Sequence, residues 1–160
     1  MERNDTADNL TWVLAAGLDA FQAWDDPSTD RLILAYLLEE SATHDLYLGE
    51  FNIALTHAQE SLRIRLSILP PDDEEVLNDY NTLAIVYGSR GDYDRGLNYL
   101  GRAEGILKED PGMFPLKSIL LNTNYGRNHY LMGNFLEAER RLDLAWAELR
   151  GLDNWAWNGQ

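Results

Sequence analysis

Residues 87–96 read YGSRGDYDRG. An aromatic residue, a short polar run, a glycine, a second aromatic and a second small residue fit a turn between two helices. The same letters place glycines beside arginines, as a phosphate-binding loop would. The two readings make different demands on the rest of the chain. A phosphate loop needs a strand before it and a lysine followed by serine or threonine. This stretch has no lysine and no strand pattern ahead of it, so that reading fails. A helix turn in a repeat array needs the stretch to recur.

It does recur. YLGEFNIAL at 47–55, SRGDYDRGL at 89–97 and LMGNFLEAE at 131–139 carry Gly49, Gly91 and Gly133, each 42 residues from the next. Two residues on stand Phe51, Tyr93 and Phe135, and three further on stand Ala54, Gly96 and Ala138. Seven residues before each glycine come Ala42, Ala84 and Gly126, and twelve after it come Ser61, Ala103 and Ala145. Five columns therefore agree in three copies with no gap.

Each copy reads as a helical hairpin. The glycine ends the first helix, where a left-handed residue is needed and glycine enters that region without strain. The next residue, Glu50, Asp92 or Asn134, opens the second helix, and aspartate and asparagine are good caps. Asn134 and Glu137 are spaced like a capping box. The small columns mark where paired helices cross closely, and the aromatic column is expected to fill the wedge beneath each turn.

Apolar spacing agrees: Phe51, Ala54, Leu55, Ala58, Leu62 and Leu66 follow a 3.6 period, as do Phe135, Ala138, Leu142, Ala145, Trp146 and Leu149. Pro70-Pro71, Pro111-Gly112 and Pro115 separate the copies. The spacing predicts helix pairs at about 31–48/50–68, 73–90/92–108 and 116–132/134–150, after a capping helix near 8–24. That helix is closed by Asp25-Asp26-Pro27, and Ser28, Thr29 or Asp30 can cap the one that follows.

TLAIVYGSRGDYDRGLNYLGRA, residues 82–103, resembles the tetratricopeptide repeat: Leu83-Ala84, Tyr87, Gly91, Tyr93, Gly96, Leu100 and Ala103 fall in that family's order. The 42-residue period resembles the kinesin-light-chain-like class. The resemblance covers roughly residues 31–150. It implies an all-α, right-handed superhelical solenoid of three hairpins, at about 31–70, 73–111 and 116–150. Residues 1–30 are then an N-terminal capping helix and linker, and 151–160 a short aromatic tail. The first copy departs from the second at Asp45, where Tyr87 stands, and the third has His129 there, beside Tyr130.

The chain has 160 residues, enough for one domain with a sizeable core. It has 27 acids against 13 bases, a formal charge of −14. Such a field repels nucleic-acid backbones and anionic membranes and favours a basic or mixed partner. Cysteine is absent, so disulfides, thiolate nucleophiles and cysteine metal sites are excluded, which suits a cytoplasmic chain. No apolar run approaches the ~20 residues of a membrane helix. Asn9-Leu10-Thr11 matches a glycosylation sequon but carries no weight without a secretory signal. His44, His57 and His129 form no zinc pair, and no nucleophile motif marks a catalytic serine. The acidic run Asp72-Asp73-Glu74-Glu75 reads as the opening of a helix, where negative charge offsets the dipole. It lacks the spaced ligands and glycine of a calcium loop. The sequence therefore predicts no catalytic residue, no metal and no cofactor.

The resemblance implies that first helices line a concave face that binds extended or helical peptides. The repeat register puts Tyr36, Glu39, Thr43, Asn78, Asn81, Ile85, Leu120, Thr123, Arg127 and Tyr130 on it. Asparagine amides can donate to and accept from a peptide backbone. Asn81 stands between that role and plain solvation of its helix. For Asn78, Asn122, Asn124 and Asn128, solvation or capping is the simpler reading. A lysine-and-asparagine carboxylate clamp, known in one subtype, is excluded because Glu39, Thr43, Asn81 and Ile85 hold the matching places and the lysines are missing. Arg127 is a local anion contact.

The ends leave a second class open. GLDNWAWNGQ at 151–160 carries Trp155 and Trp157, which either cap the array, begin a further repeat or join two copies. A peptide-binding scaffold and an oligomerisation module, the latter read as a part of a longer chain, are the two functional readings.

Overall fold

In a computed structural model the structure describes Ala16, residues 29–109 and residues 115–157. The expected capping helix near 8–24, with its closing segment, lies outside the described residues. The described chain forms six helices: α1 (Thr29–Leu48), α2 (Phe51–Leu66), α3 (Glu74–Ser89), α4 (Tyr93–Glu109), α5 (Pro115–Leu131) and α6 (Phe135–Trp157). No strand occurs among the described residues.

The turns form as the glycine column demands. Gly49, Gly91 and Gly133 each have φ of 80°, and they are the glycines with positive φ among the described residues. In the second turn Gly91 N–H donates to the Gly88 carbonyl at 3.1 Å and Asp92 N–H to the Tyr87 carbonyl at 2.9 Å. The other two turns repeat this pair of bonds, which satisfies the last carbonyls of the ending helix. The next helix starts at once: the amides of Ala54, Gly96 and Ala138 donate to the carbonyls of Glu50, Asp92 and Asn134. At the head of α3, Asp73 caps the helix by accepting from Glu75 N–H at 2.9 Å, with Glu74 and Glu75 in the first turn.

Each hairpin packs tightly, and each second helix packs on the next first helix. First helices also touch in sequence, α1 on α3 and α3 on α5, whereas no two second helices touch among the described residues. A row in contact beside a row held apart curves the array, with the first helices on the inner side. This is an all-α helical-repeat solenoid.

Nine small residues make the close crossings. Ala42, Ala84, Gly126, Ala54, Gly96, Ala138, Ser61, Ala103 and Ala145 are all buried. One apolar cluster joins hairpins one and two through Ala42, Ala58, Leu62, Val76, Leu83 and Tyr87. A second joins hairpins two and three through Leu77, Ala84, Leu100, Leu107, Leu121 and Tyr125.

Two expectations need correction. In the first and third copies the aromatic column does not fill the wedge under the turn: Phe135 is 62% exposed and Phe51 36%, whereas Tyr93 in the second is half-buried. These residues open their helices, and a helical side chain leans back toward the N-terminus, here over the turn and out toward solvent. Phe135 instead meets Tyr130 edge-on across the turn, with ring centroids 5.6 Å apart. Nor do residues 151–157 form a separate tail, since α6 runs through Gly151 to Trp157. A single glycine costs a helix only about 1 kcal/mol, and no proline follows to stop it.

Candidate functional site

The concave columns follow the repeat. Thr43, Ile85 and Arg127 stand 42 residues apart on α1, α3 and α5. They line one cavity of about 320 Å³ with Leu46, Tyr47, Thr82 and Ser89. Arg127 is exposed and donates from Nη2 to Ser89 Oγ at 3.2 Å. No carboxylate lines this cavity. Asn124 Nδ2 donates to Asn81 Oδ1 at 2.8 Å, and Lys117 Nζ donates to Asn78 Oδ1 at 2.6 Å. Asn81 and Asn78 are thus half-buried bridges between α3 and α5 as well as surface groups. Thr123 bonds back to the Ile119 carbonyl of its own helix. Tyr36, Leu120 and Tyr130 are more than half exposed and present apolar surface. Tyr36 borders a separate cavity of about 430 Å³ at the start of the array, beside Leu32, Ile33, Leu69 and Glu75.

Glu39 does something the repeat register did not suggest. Its Oε2 accepts from Arg65 Nη1 at 2.7 Å, and its Oε1 lies 3.5 Å from the Thr82 hydroxyl. Arg65, on α2, is only 2% exposed. The same Nη1 donates to Asp79 Oδ1 at 2.7 Å, and Nη2 meets Glu75 Oε2 at 2.7 Å. One guanidinium therefore ties α1, α2 and α3 together through three carboxyl groups. Asp79 has no exposed surface, and its Oδ2 has no hydrogen-bond partner. Burial pushes the Asp79 carboxyl up to about 7, against the pull of Arg65. Arg65 itself is held above its ordinary value, its burial outweighed by Asp79, Glu39 and Glu75.

Sequence reasoning missed this junction, yet the period carried the signal. One repeat later, Ser61, Arg65 and Asp79 become Ala103, Leu107 and Leu121. Two charged residues stood where another copy has leucines.

The departures at Asp45 and His129 also resolve across the hairpins. Asp45 Oδ2 lies 2.8 Å from His57 Nδ1 in the first hairpin. The same two places in the second hold Tyr87 and Tyr99, stacked with centroids 5.5 Å apart. In the third they hold His129 and Arg141, both against Tyr125, whose ring lies 3.9 Å from the Arg141 guanidinium carbon. Burial and Glu104 push the Tyr125 hydroxyl up to about 12.

Among the described residues no group of three His, Cys, Asp or Glu could hold a metal, and no helix is long and apolar enough to cross a membrane. The backbone of Trp155 and Trp157 belongs to α6, but their side chains lie outside the described ones.

Residues 33–109 match the tetratricopeptide repeat family model, and the chain carries tetratricopeptide repeats. Repeats of this family mediate protein–protein interaction and are in general non-catalytic scaffolds. No curated protein matches the chain.

Proposed function

We propose that the chain is a non-catalytic, cytoplasmic scaffold whose concave row receives a protein or peptide of basic or mixed charge. The observation that carries this reading is the meeting of Thr43, Ile85 and Arg127, from three successive first helices, around one cavity. A groove built from one column of a repeat suits an extended or helical segment crossing all three hairpins. Tyr36, Leu120 and Tyr130 supply exposed apolar contact area, Asn78, Asn81 and Thr123 polar contacts, and Arg127 a single anion contact. Glu39 acts through Arg65 rather than as a free acid. No cofactor, metal, nucleic acid or membrane has a part in this proposal.

The test is affinity capture with the parent and with Arg127→Glu and Tyr36→Ala, each checked for unchanged helicity. Asn81→Arg is a poorer probe, because it breaks the bond to Asn124. A partner held by the parent and lost by both folded variants supports the groove; a partner held equally by all three refutes it.

A second reading has its own support. Ala58 and Leu100 are 1% and 0% exposed beneath the following hairpin, whereas Leu142 at the same place in α6 is 45% exposed. Trp146 beside it is 58% exposed. An end face open in this way suits self-association, with Trp155 and Trp157 as further proposed contacts. Sedimentation over a range of concentrations tests it: a mass that stays monomeric rejects this second reading.

A further inference from the structure

The buried junction poses a problem of hydrogen counting. Ser61 Oγ lies 2.8 Å from the Ala35 carbonyl and 2.7 Å from Asp79 Oδ1. A hydroxyl carries one hydrogen, and a backbone carbonyl only accepts. If Asp79 were ionised, two acceptors would compete for that hydrogen, and one contact would be oxygen against oxygen with nothing between. Asp79 Oδ2 would be a second fault, a fully buried anionic oxygen without a donor.

We propose that Asp79 is held in the folded chain as a neutral acid that donates from Oδ1 to Ser61, so that a proton latches the first hairpin to the second. Ser61 is then free to donate to Ala35, and Oδ1 still accepts from Arg65. One proton completes a chain of bonds from α3 through α2 to α1. It also relieves the crowding of three carboxyl groups around one guanidinium. The groups that act on Asp79 are Arg65 from α2 and Glu39 from α1, and Glu75 on its own helix reaches it through Arg65. Among the described residues α4 and α5, which also pack on α3, add no charge to that set.

The upward shift of Asp79 to about 7 agrees with this assignment. The folded value lies above the unfolded one. The proton's stabilisation is therefore complete below about pH 4 and is lost as the pH rises toward about 7, where the folded acid ionises. The second junction, with Leu107 and Leu121 at these places, has no such dependence. Loosening falls on the joint between the first and second hairpins, where Glu39 ties it to the concave face.

The ¹³C carboxyl resonance of Asp79, assigned through its backbone, reads the proton directly. The expected result is one titration step near neutrality. A resonance already ionised at about pH 5 overturns the proposal, since an ordinary aspartate titrates near 3.9. Ser61→Ala decides the direction of the bond. If Asp79 donates to Ser61, removing the hydroxyl takes a partner from the neutral acid and moves the step to lower pH. A step that moves to higher pH means Ser61 donates to a carboxylate, and the latch is wrong. Unfolding of the parent and of Asp79→Asn at several pH values supplies a third reading. The parent should lose stability relative to the variant between about pH 4 and pH 7; parallel curves reject the latch.

Discussion

Arg65 and Leu107 hold the same place in successive repeats, 42 residues apart, and both are buried, at 2% and 7% exposure. Across the junction each meets its own counterpart: Asp79 faces Arg65, and Leu121 packs in the cluster of Leu107. One scaffold thus carries an ionic joint and an apolar joint at equivalent sites. A buried ion pair gains its Coulomb attraction only after a large desolvation cost, so an apolar replacement of similar volume is often as stable or more so. Asp79→Ala leaves Arg65 paired with Glu39 and Glu75 but removes a buried hydrogen-bond partner of both Arg65 and Ser61, and should cost about 1–3 kcal/mol in urea unfolding. The quadruple change Glu39→Asn, Ser61→Ala, Arg65→Leu, Asp79→Leu gives the first joint the residues of the second, leaves no buried carboxylate without its cation, and should be neutral or stabilising by about 1–4 kcal/mol. A quadruple variant weaker than Asp79→Ala alone would mean the ionic joint fits its site in a way leucines cannot.

The turn glycines make a cleaner test of backbone strain. A Cβ on Gly91 would meet nothing within 4 Å, so any cost of substitution comes from its φ of 80°. Gly91→Ala should lower stability by about 1–2 kcal/mol. Gly91→Asn should cost less, because asparagine tolerates this region better. Equal losses in thermal unfolding would point away from φ as the cause.

Two other glycines should respond with opposite signs. A Cβ on Gly126 would sit 2.7 Å from Leu142 Cγ and 3.2 Å from the Ala138 carbonyl. Gly126→Ala should therefore overpack the third hairpin at a cost of about 1–3 kcal/mol. Gly105, inside α4, has nothing within 4 Å of its added Cβ, so Gly105→Ala should stabilise by about 1 kcal/mol through helix propensity alone. Chemical denaturation of the two variants side by side checks both.

On α6 the pH dependence runs the other way from that of Asp79. Arg140, with help from Arg141, holds the Glu137 carboxyl down to about 2. A folded value below the unfolded one adds stability above about pH 4, lost as the pH falls toward 2. Glu137→Gln should flatten that part of the acid limb, and the effect should fade in high salt because the pair is exposed. An acid limb identical to the parent's at low salt would show that the pair contributes nothing measurable.

The sequence by itself determined the hairpins and their order. Gly49, Gly91 and Gly133, the nine small crossing residues and the acidic opening of α3 act locally or by period, so their meaning survives without coordinates. The register also named Thr43, Ile85 and Arg127 as neighbours, because equal spacing puts equal positions on one face. Tertiary structure decided what no local rule expresses. Glu39 and Arg65, 26 residues apart, are partners only because α1, α2 and α3 converge there. Asp45 meets His57 because those places face each other across a hairpin, as Tyr87 and Tyr99 do in the next. The exposure of Phe135 depended on what packs against the start of α6, and the charge of Asp79 on how one Ser61 hydrogen is shared. Periodicity says which residues share a face. Burial, and the donors and acceptors that happen to meet there, decide what each of them does.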